Sequence, residues 1–241
     1  MYKYKRVLIK VSGEALKGSS SSGYDSDSIG QLVEKIRSVI DNGVELVLVL
    51  GAGNIWRGIN GAADGMDRVT ADYMGMLATV MNALCVKDAL ESAGISALVQ
   101  TSIPMEPIAA RYNRAEAEKA LESGTVVIFA GGTGSPFFTT DTTAALRALE
   151  THCQAVLKAT KVDGIYTADP FKDPNAVRFS TISYEEALSR RLKIMDSTAF
   201  SMCSDHDLPI IVFNFSDPES LNKVLSGDTS IATVVCREST I

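Results

Sequence analysis

Seven short apolar runs, many of them β-branched, constrain this chain more than any other feature. They cover residues 6–11, 44–50, 95–100, 125–130, 155–159, 209–213 and 231–235. Runs this apolar, bounded by glycine or polar residues, predict strands covered on both faces. Helical patterns fall between them. Ile29, Leu32, Val33, Ile36, Val39 and Ile40 form one apolar stripe, with Asp25 or Ser26 as N-cap and Gly43 as stop. Residues 68–93 suffice for one long helix or two consecutive ones, and Met74, Met76 and Met81 within them read as core packing. Segments 115–121, 142–150, 184–190, 198–204 and 218–225 complete the helices. This alternation predicts an α/β fold with a mainly parallel sheet, helices on both faces, and ligands at the carboxyl ends of the strands. No linker or internal repeat divides it, although residues 161–170 begin a less regular stretch.

Charge narrows the partners. With 23 Lys+Arg against 29 Asp+Glu the net charge is −6, so neither a nucleic-acid surface nor an anionic membrane is an expected partner. Small phosphates remain open, because a few local cations and backbone N–H groups suffice for them. The longest uncharged run, 123–140, contains four glycines and a proline and reads as strand plus loop rather than a membrane helix. The first ten residues hold too short an apolar run for a signal-peptide core. Cys85, Cys153, Cys203 and Cys236 show no CxxC spacing and suit reduced, mostly buried thiols in a cytoplasmic protein.

Three glycine-bearing loops each follow a predicted strand: residues 10–13, residues 51–54, and residues 131–134 leading into Ser-Pro-Phe-Phe-Thr-Thr140. Glycine lets backbone amides approach a ligand, and amides at a helix start face anions. One such loop is equally a plain turn; three at one sheet edge suggest a phosphate site. No GxxxxGK[ST] is present. Gly51-Ala-Gly53 opens like a dinucleotide fingerprint, but Trp56 occupies the third glycine position. Lys10 reads either as a solvated flanking lysine or as an ammonium among phosphates, and Arg57 as a surface cation or a phosphate fork. Thr139 or Thr140 can cap the next helix, with Asp141 favouring its dipole, and the same groups can grip a ligand. His152 and His206 lie near no serine or cysteine elbow, so hydrolase triads and histidine metal sites are not expected.

At these loops the sequence closely resembles the bacterial-type uridylate (UMP) kinases of the amino-acid-kinase family. The likeness runs through residues 8–16, 51–58, 66–69, 72–82, 132–141, 158–164, 166–170 and 193–196. Blocks 72–82 and 132–141 separate these enzymes from acetylglutamate, aspartate and carbamate kinases of the same architecture. The resemblance implies a three-layer α/β/α sandwich in one domain, 1–241, with an acceptor-nucleotide part of roughly 1–155 and an ATP-binding part of roughly 156–241. It also implies ATP-dependent phosphorylation of UMP to UDP in pyrimidine nucleotide biosynthesis. Mg²⁺ would be bound mainly through nucleotide phosphates, with no metal-ligand set of the protein's own, and the assembly would be a cytoplasmic homohexamer. Carried over by position, Lys10, Val11, Ser12, Gly13, Gly53, Arg57, Thr160, Tyr166 and Asp169 would bind ATP. Ala52, Asp72, Thr133, Gly134, Ser135, Pro136, Phe137, Phe138, Thr139 and Thr140 would bind UMP.

Lys10 would act on the transferring phosphoryl group with Lys158 as a second cation, while Asp141 and Asp196 would orient Lys10 or hold the phosphate-bound Mg²⁺. Asp72 would accept from the ribose hydroxyls. A phosphate acceptor is already ionised near pH 7, so this chemistry needs positioning and charge stabilisation rather than a strong base. Two departures stand out. Ala52 replaces the family's usual glycine, which is harmless unless φ is positive. Residues 18–24, Gly-Ser-Ser-Ser-Ser-Gly-Tyr, replace a stretch associated with GTP activation, so regulation by GTP stays open here. Two other readings stay open on sequence: a family member with a carboxylate or carbamate acceptor, and a nucleotide-binding storage or regulatory module without kinase activity. The second should lack Lys10, Asp141 and Asp196.

Overall fold

The computed structural model describes residues 2–56 and 65–237. The order of elements follows the apolar runs: β1 (Arg6–Val11), α1 (Ser26–Ile40), β2 (Glu45–Leu50), α2 (Arg68–Ser92), β3 (Ala97–Thr101), β4 (Ala110–Arg111), α3 (Arg114–Glu122) and β5 (Val126–Ala130). Then come α4 (Thr140–Glu150), β6 (Val156–Thr160), β7 (Thr181–Ser183), α5 (Tyr184–Ser189), α6 (Ser197–Asp205), β8 (Ile210–Asn214), α7 (Ser220–Leu225) and β9 (Ala232–Cys236). Strands β4 and β7 are additions to the sequence reading; two and three residues are too few to leave a periodic signal.

The strands form one nine-stranded sheet in the order β4-β3-β5-β2-β1-β6-β8-β9-β7. Every pairing is parallel except β8 with β9. Alternate strand residues enter two separate cores. Ile9, Leu48, Ile128 and Leu157 face α1, α2 and α7, through residues such as Ile36, Val86 and Leu221. Leu8, Val47, Phe129 and Val156 face α3 to α6, through Leu121, Ala145, Ala187 and Phe200. Two buried faces give an α/β/α sandwich, because a sheet apolar on both sides must be covered on both.

Asp25 caps α1, its carboxylate accepting from the Ser28 N–H at 2.8 Å. The pattern at 68–93 resolves as one helix capped by Asp67. By length and composition it is the one described helix long and apolar enough to cross a bilayer, but here it is a core helix, burying Val80, Ala83, Val86 and Leu90 against the sheet. Only one of its three methionines behaves as core filler. Met76 is buried, whereas Met74 and Met81 join Tyr73 and Leu77 on the exposed side. A helix this uniformly apolar has almost no periodic bias to tell its two sides apart.

Candidate active site

Parallel pairing brings the carboxyl ends of β2, β1, β6 and β5 to one edge. The registers Val11↔Leu50 and Lys10↔Lys158 place the two lysines side by side on the same face. Thr139 caps α4, accepting from the Asp141 N–H at 3.0 Å, and this carries the Asp141 carboxylate beneath both ammonium groups. Lys158 Nζ donates to Asp141 Oδ2 at 2.8 Å and also to the Ile194 carbonyl. Lys10 Nζ lies 3.0 Å from Asp141 Oδ1, a charge contact outside hydrogen-bond alignment. Burial acts to raise the Asp141 carboxyl, but Lys10 and Lys158 more than offset it and hold it below its ordinary range. The carboxylate is therefore ionised near neutral pH, and the trio keeps one net positive charge at the end of β1.

Two of the glycine loops, 10–13 and 51–54, meet beside Lys10. A Cβ on Gly13 would lie 2.5 Å from the Gly51 carbonyl and 2.7 Å from the Gly53 nitrogen, so only glycine permits this approach. Ser12 caps the short 3-10 turn Gly13–Leu16 through the Glu14 N–H. Val11 is buried beneath, and Gly53 lies in the facing turn. Ala52 is not among the residues with positive φ, so its methyl carries no backbone strain, and its carbonyl accepts from the Ile55 and Trp56 N–H groups. Arg57, expected to bind ATP, lies outside the described residues.

Asp72 takes both carboxylate oxygens to Arg68 Nε at 2.9 Å and accepts the Phe137 N–H at 2.8 Å. Phe137 adopts φ +71, a conformation costing a non-glycine residue about 1 kcal/mol, and the Arg68 guanidinium lies 5.5 Å from its ring centroid. Ala52, Asp72, Thr133, Phe138, Thr139 and Thr140 help line a cavity of about 200 Å³ with Trp56 and Met76. Within the same loop, the Ser135 N–H donates to the Thr133 hydroxyl at 3.3 Å, and Gly134 turns at φ +82 before Pro136.

Thr160, Tyr166 and Asp169 border a different cavity, of about 640 Å³, that also reaches Lys158. The Thr160 hydroxyl donates to the Val162 carbonyl at 2.6 Å. The Tyr166 hydroxyl donates to Asp163, which raises its pKa, and Asp169 accepts the Phe171 N–H at 3.0 Å. A third cavity, about 480 Å³, lies between α1 and the ends of β1 and β6 and includes Lys10, Ser12, Lys158 and Thr160.

Asp196 does not contact Lys10 in this arrangement. It caps α6 through the Ala199 N–H and accepts the Thr139 and Thr142 hydroxyls at 2.5 and 2.8 Å, tying the start of α6 to the start of α4. His152 is a surface residue beside Arg114, and His206 follows α6. Of the cysteines, Cys153 and Cys203 are buried, while Cys85 and Cys236 are partly exposed.

Several residues that hold the loops were not singled out from sequence. Thr79 accepts the Gly131 N–H at 2.9 Å, and Asn82 donates to the Gly51 carbonyl at 2.7 Å. Asn82 and Asn54 exchange hydrogen bonds, and Asn54 reaches the Gly23 carbonyl at 3.1 Å, fastening the serine-rich loop. For Thr79 and Asn82, polar residues on a largely apolar helix were the available signal.

The amino acid kinase family model matches residues 5–214. The chain belongs to the amino acid kinase family. Among solved structures it is similar to the UMP kinase of Bacillus anthracis, at 36% identity over 98% of this chain and 97% of that one, with a TM-score of 0.94. It is similar to the UMP kinase of Ureaplasma parvum at 37% identity over 98% and 100%, with a TM-score of 0.92. The uridylate kinase of Archaeoglobus fulgidus matches at 25% identity over 98% and 100%, with a TM-score of 0.71. As a member of this family, the chain is a phosphotransferase of α/β/α architecture.

Proposed function

We propose that this chain transfers the γ-phosphoryl group of ATP to UMP. A phosphate oxygen of UMP attacks the γ-phosphorus, the bond to the β,γ-bridging oxygen breaks, and UDP and ADP leave. The observation that carries this reading is the Lys10–Asp141–Lys158 trio where the 480 and 640 Å³ cavities share Lys158, in a chain alike over 98% of its length to enzymes named as UMP kinases.

In this reading ATP takes the 640 Å³ cavity, with Thr160, Tyr166 and Asp169 at its base and ribose. Its phosphates run past Lys158 to Lys10 and the amides of residues 11–13 and 53, with Arg57 as a further cation. UMP takes the cavity beside Asp72, whose carboxylate oxygens offer acceptor sites to ribose hydroxyls beyond those Arg68 and Phe137 occupy. The loop 133–140 closes over it. Lys10 and Lys158 stabilise the charge that spreads over the transferring group, and Asp141 keeps both ammoniums in place. Asp196 acts one step back, by setting the start of α4. Mg²⁺ enters as the MgATP substrate, since Asp141 is already shared between two ammoniums. The enzyme works in the cytoplasm, in pyrimidine nucleotide synthesis. Its exposed α2 stripe, Tyr73, Met74, Leu77 and Met81, is the self-association face of a homohexamer.

The test is ADP formation with UMP, CMP, dUMP and acetylglutamate as acceptors, with and without GTP. UMP should exceed acetylglutamate by about a hundredfold or more in kcat/KM. Equal or better turnover of acetylglutamate would remove the assignment.

A further inference from the structure

Arg147 is a cation on the buried face of α4, among Ala144, Ala145 and Ala148, and is itself only 5% exposed. Its guanidinium lies 3.6 Å from the Tyr112 ring centroid and pairs with Glu150. Those two contacts satisfy a buried arginine without reference to the site. A third does not fit that purpose. Arg147 Nη2 donates to the Ser102 hydroxyl at 2.8 Å, and Ser102 Oγ donates to the Gly132 carbonyl at 2.7 Å.

The direction of this relay is fixed by chemistry. Arginine has no acceptor, so Ser102 must accept from it, and the serine hydrogen is then left for the Gly132 carbonyl. Gly131 and Gly132 both have positive φ, at +73 and +60, so no side chain of their own restricts the loop. Its shape is imposed from outside, by Thr79 on the Gly131 N–H and by Ser102 on the Gly132 carbonyl. A trans peptide points its N–H opposite to its C=O. Holding the Gly132 carbonyl on Ser102 therefore turns the Thr133 N–H away from Ser102 and leaves it for a ligand in the adjoining cavity, which Gly132 and Thr133 both line.

We infer that Arg147 is a positioning residue for the acceptor nucleotide, acting through Ser102 on the Gly132–Thr133 peptide. It touches no substrate. Because it acts on the loop assigned to UMP, the inference rests on the acceptor reading above.

Kinetics of three single variants and one double variant decide it. Ser102→Ala removes the relay with almost no change in volume and should raise KM for UMP about tenfold, with KM for ATP and kcat within twofold of wild type. Arg147→Lys keeps one donor and should fall between wild type and Arg147→Met. Adding Arg147→Met to Ser102→Ala should raise KM for UMP by less than a further twofold, because both changes break one chain of contacts. A KM for UMP unmoved in Ser102→Ala overturns the inference. So do equal rises for UMP and ATP, or multiplicative effects in the double variant. A wild-type enzyme that does not turn over UMP overturns the acceptor reading instead, and the two failures are thereby distinguished.

Discussion

The two sides of the cleft are built differently. On the side proposed for the acceptor, backbone loops are tied down by buried or half-buried side chains: Thr79 on Gly131, Asn82 on Gly51, Asn54 on Gly23 and Ser102 on Gly132. On the side proposed for the donor, the segment after β6 is fixed mainly at its base. There Thr233 accepts the Ile165 N–H, and the Arg178 guanidinium donates to carbonyls of Thr229, Ser230 and Ala232. Its tip is open, with Phe171 81% and Val177 65% exposed. With the nucleotides placed as proposed, the contrast puts discrimination in a preformed acceptor pocket and leaves the donor cavity to adapt to a larger ligand. The charge comes from the lysine–aspartate trio, of which Lys158 also lines the larger, 640 Å³ cavity.

Damage at the junction should therefore be largest and affect turnover. Lys10→Ala is expected to lower kcat about a thousandfold, with both substrates still binding, as measured by single-turnover kinetics and calorimetry. Near-normal turnover with unchanged Mg²⁺ dependence would remove Lys10 from the chemistry. Next comes the acceptor side, where binding and stability should fall together. Asn82→Ala leaves the Gly51 carbonyl and Asn54 short of partners, with an expected cost of about 2 kcal/mol and a fall of roughly 6 °C in Tm, alongside a raised KM for UMP. The donor tip should separate these effects: Asp169→Ala is expected to raise KM for ATP about fivefold, the worth of one hydrogen bond, with Tm unchanged. A matching loss of thermal stability there would erase the contrast.

The smallest effect is an acid one. The Asp141 pKa is depressed, so its contribution to stability is fully present above the unfolded value, about 4, and is lost as pH falls through the lower folded value. The urea-midpoint difference between wild type and Asp141→Asn should hold constant from pH 7 to about pH 4 and shrink below that. A difference that declines already between pH 7 and 5 would mean the carboxyl is not held low.

Most of the architecture was legible because it is written in periodicity. Each of the seven apolar runs became a strand, the first without change and the rest shifted by a residue or two at their ends, and each helical stripe became a helix. What periodicity missed was short or symmetric: β7 with three residues, and the exposed side of α2, whose apolar surround hid Met74 and Met81 from the solvent side. In the site, the glycine loops and Lys10 could be found from their places after strands. Asp196 could not be placed, since nothing local shows that its carboxylate turns to Thr139 and Thr142, more than fifty residues earlier. Arg147 left a trace, a charge in an alanine stripe, but its partner Ser102 lies 45 residues away and only the fold brings them together.

The central claim is that the acceptor atom is a phosphate oxygen of UMP. It is tested most directly by phosphorus NMR of one mixture holding MgATP, UMP and acetylglutamate with the wild-type enzyme. UDP and ADP should accumulate in equal amounts, with no acyl phosphate. Accumulation of an acyl phosphate, or release of inorganic phosphate without UDP, would contradict it.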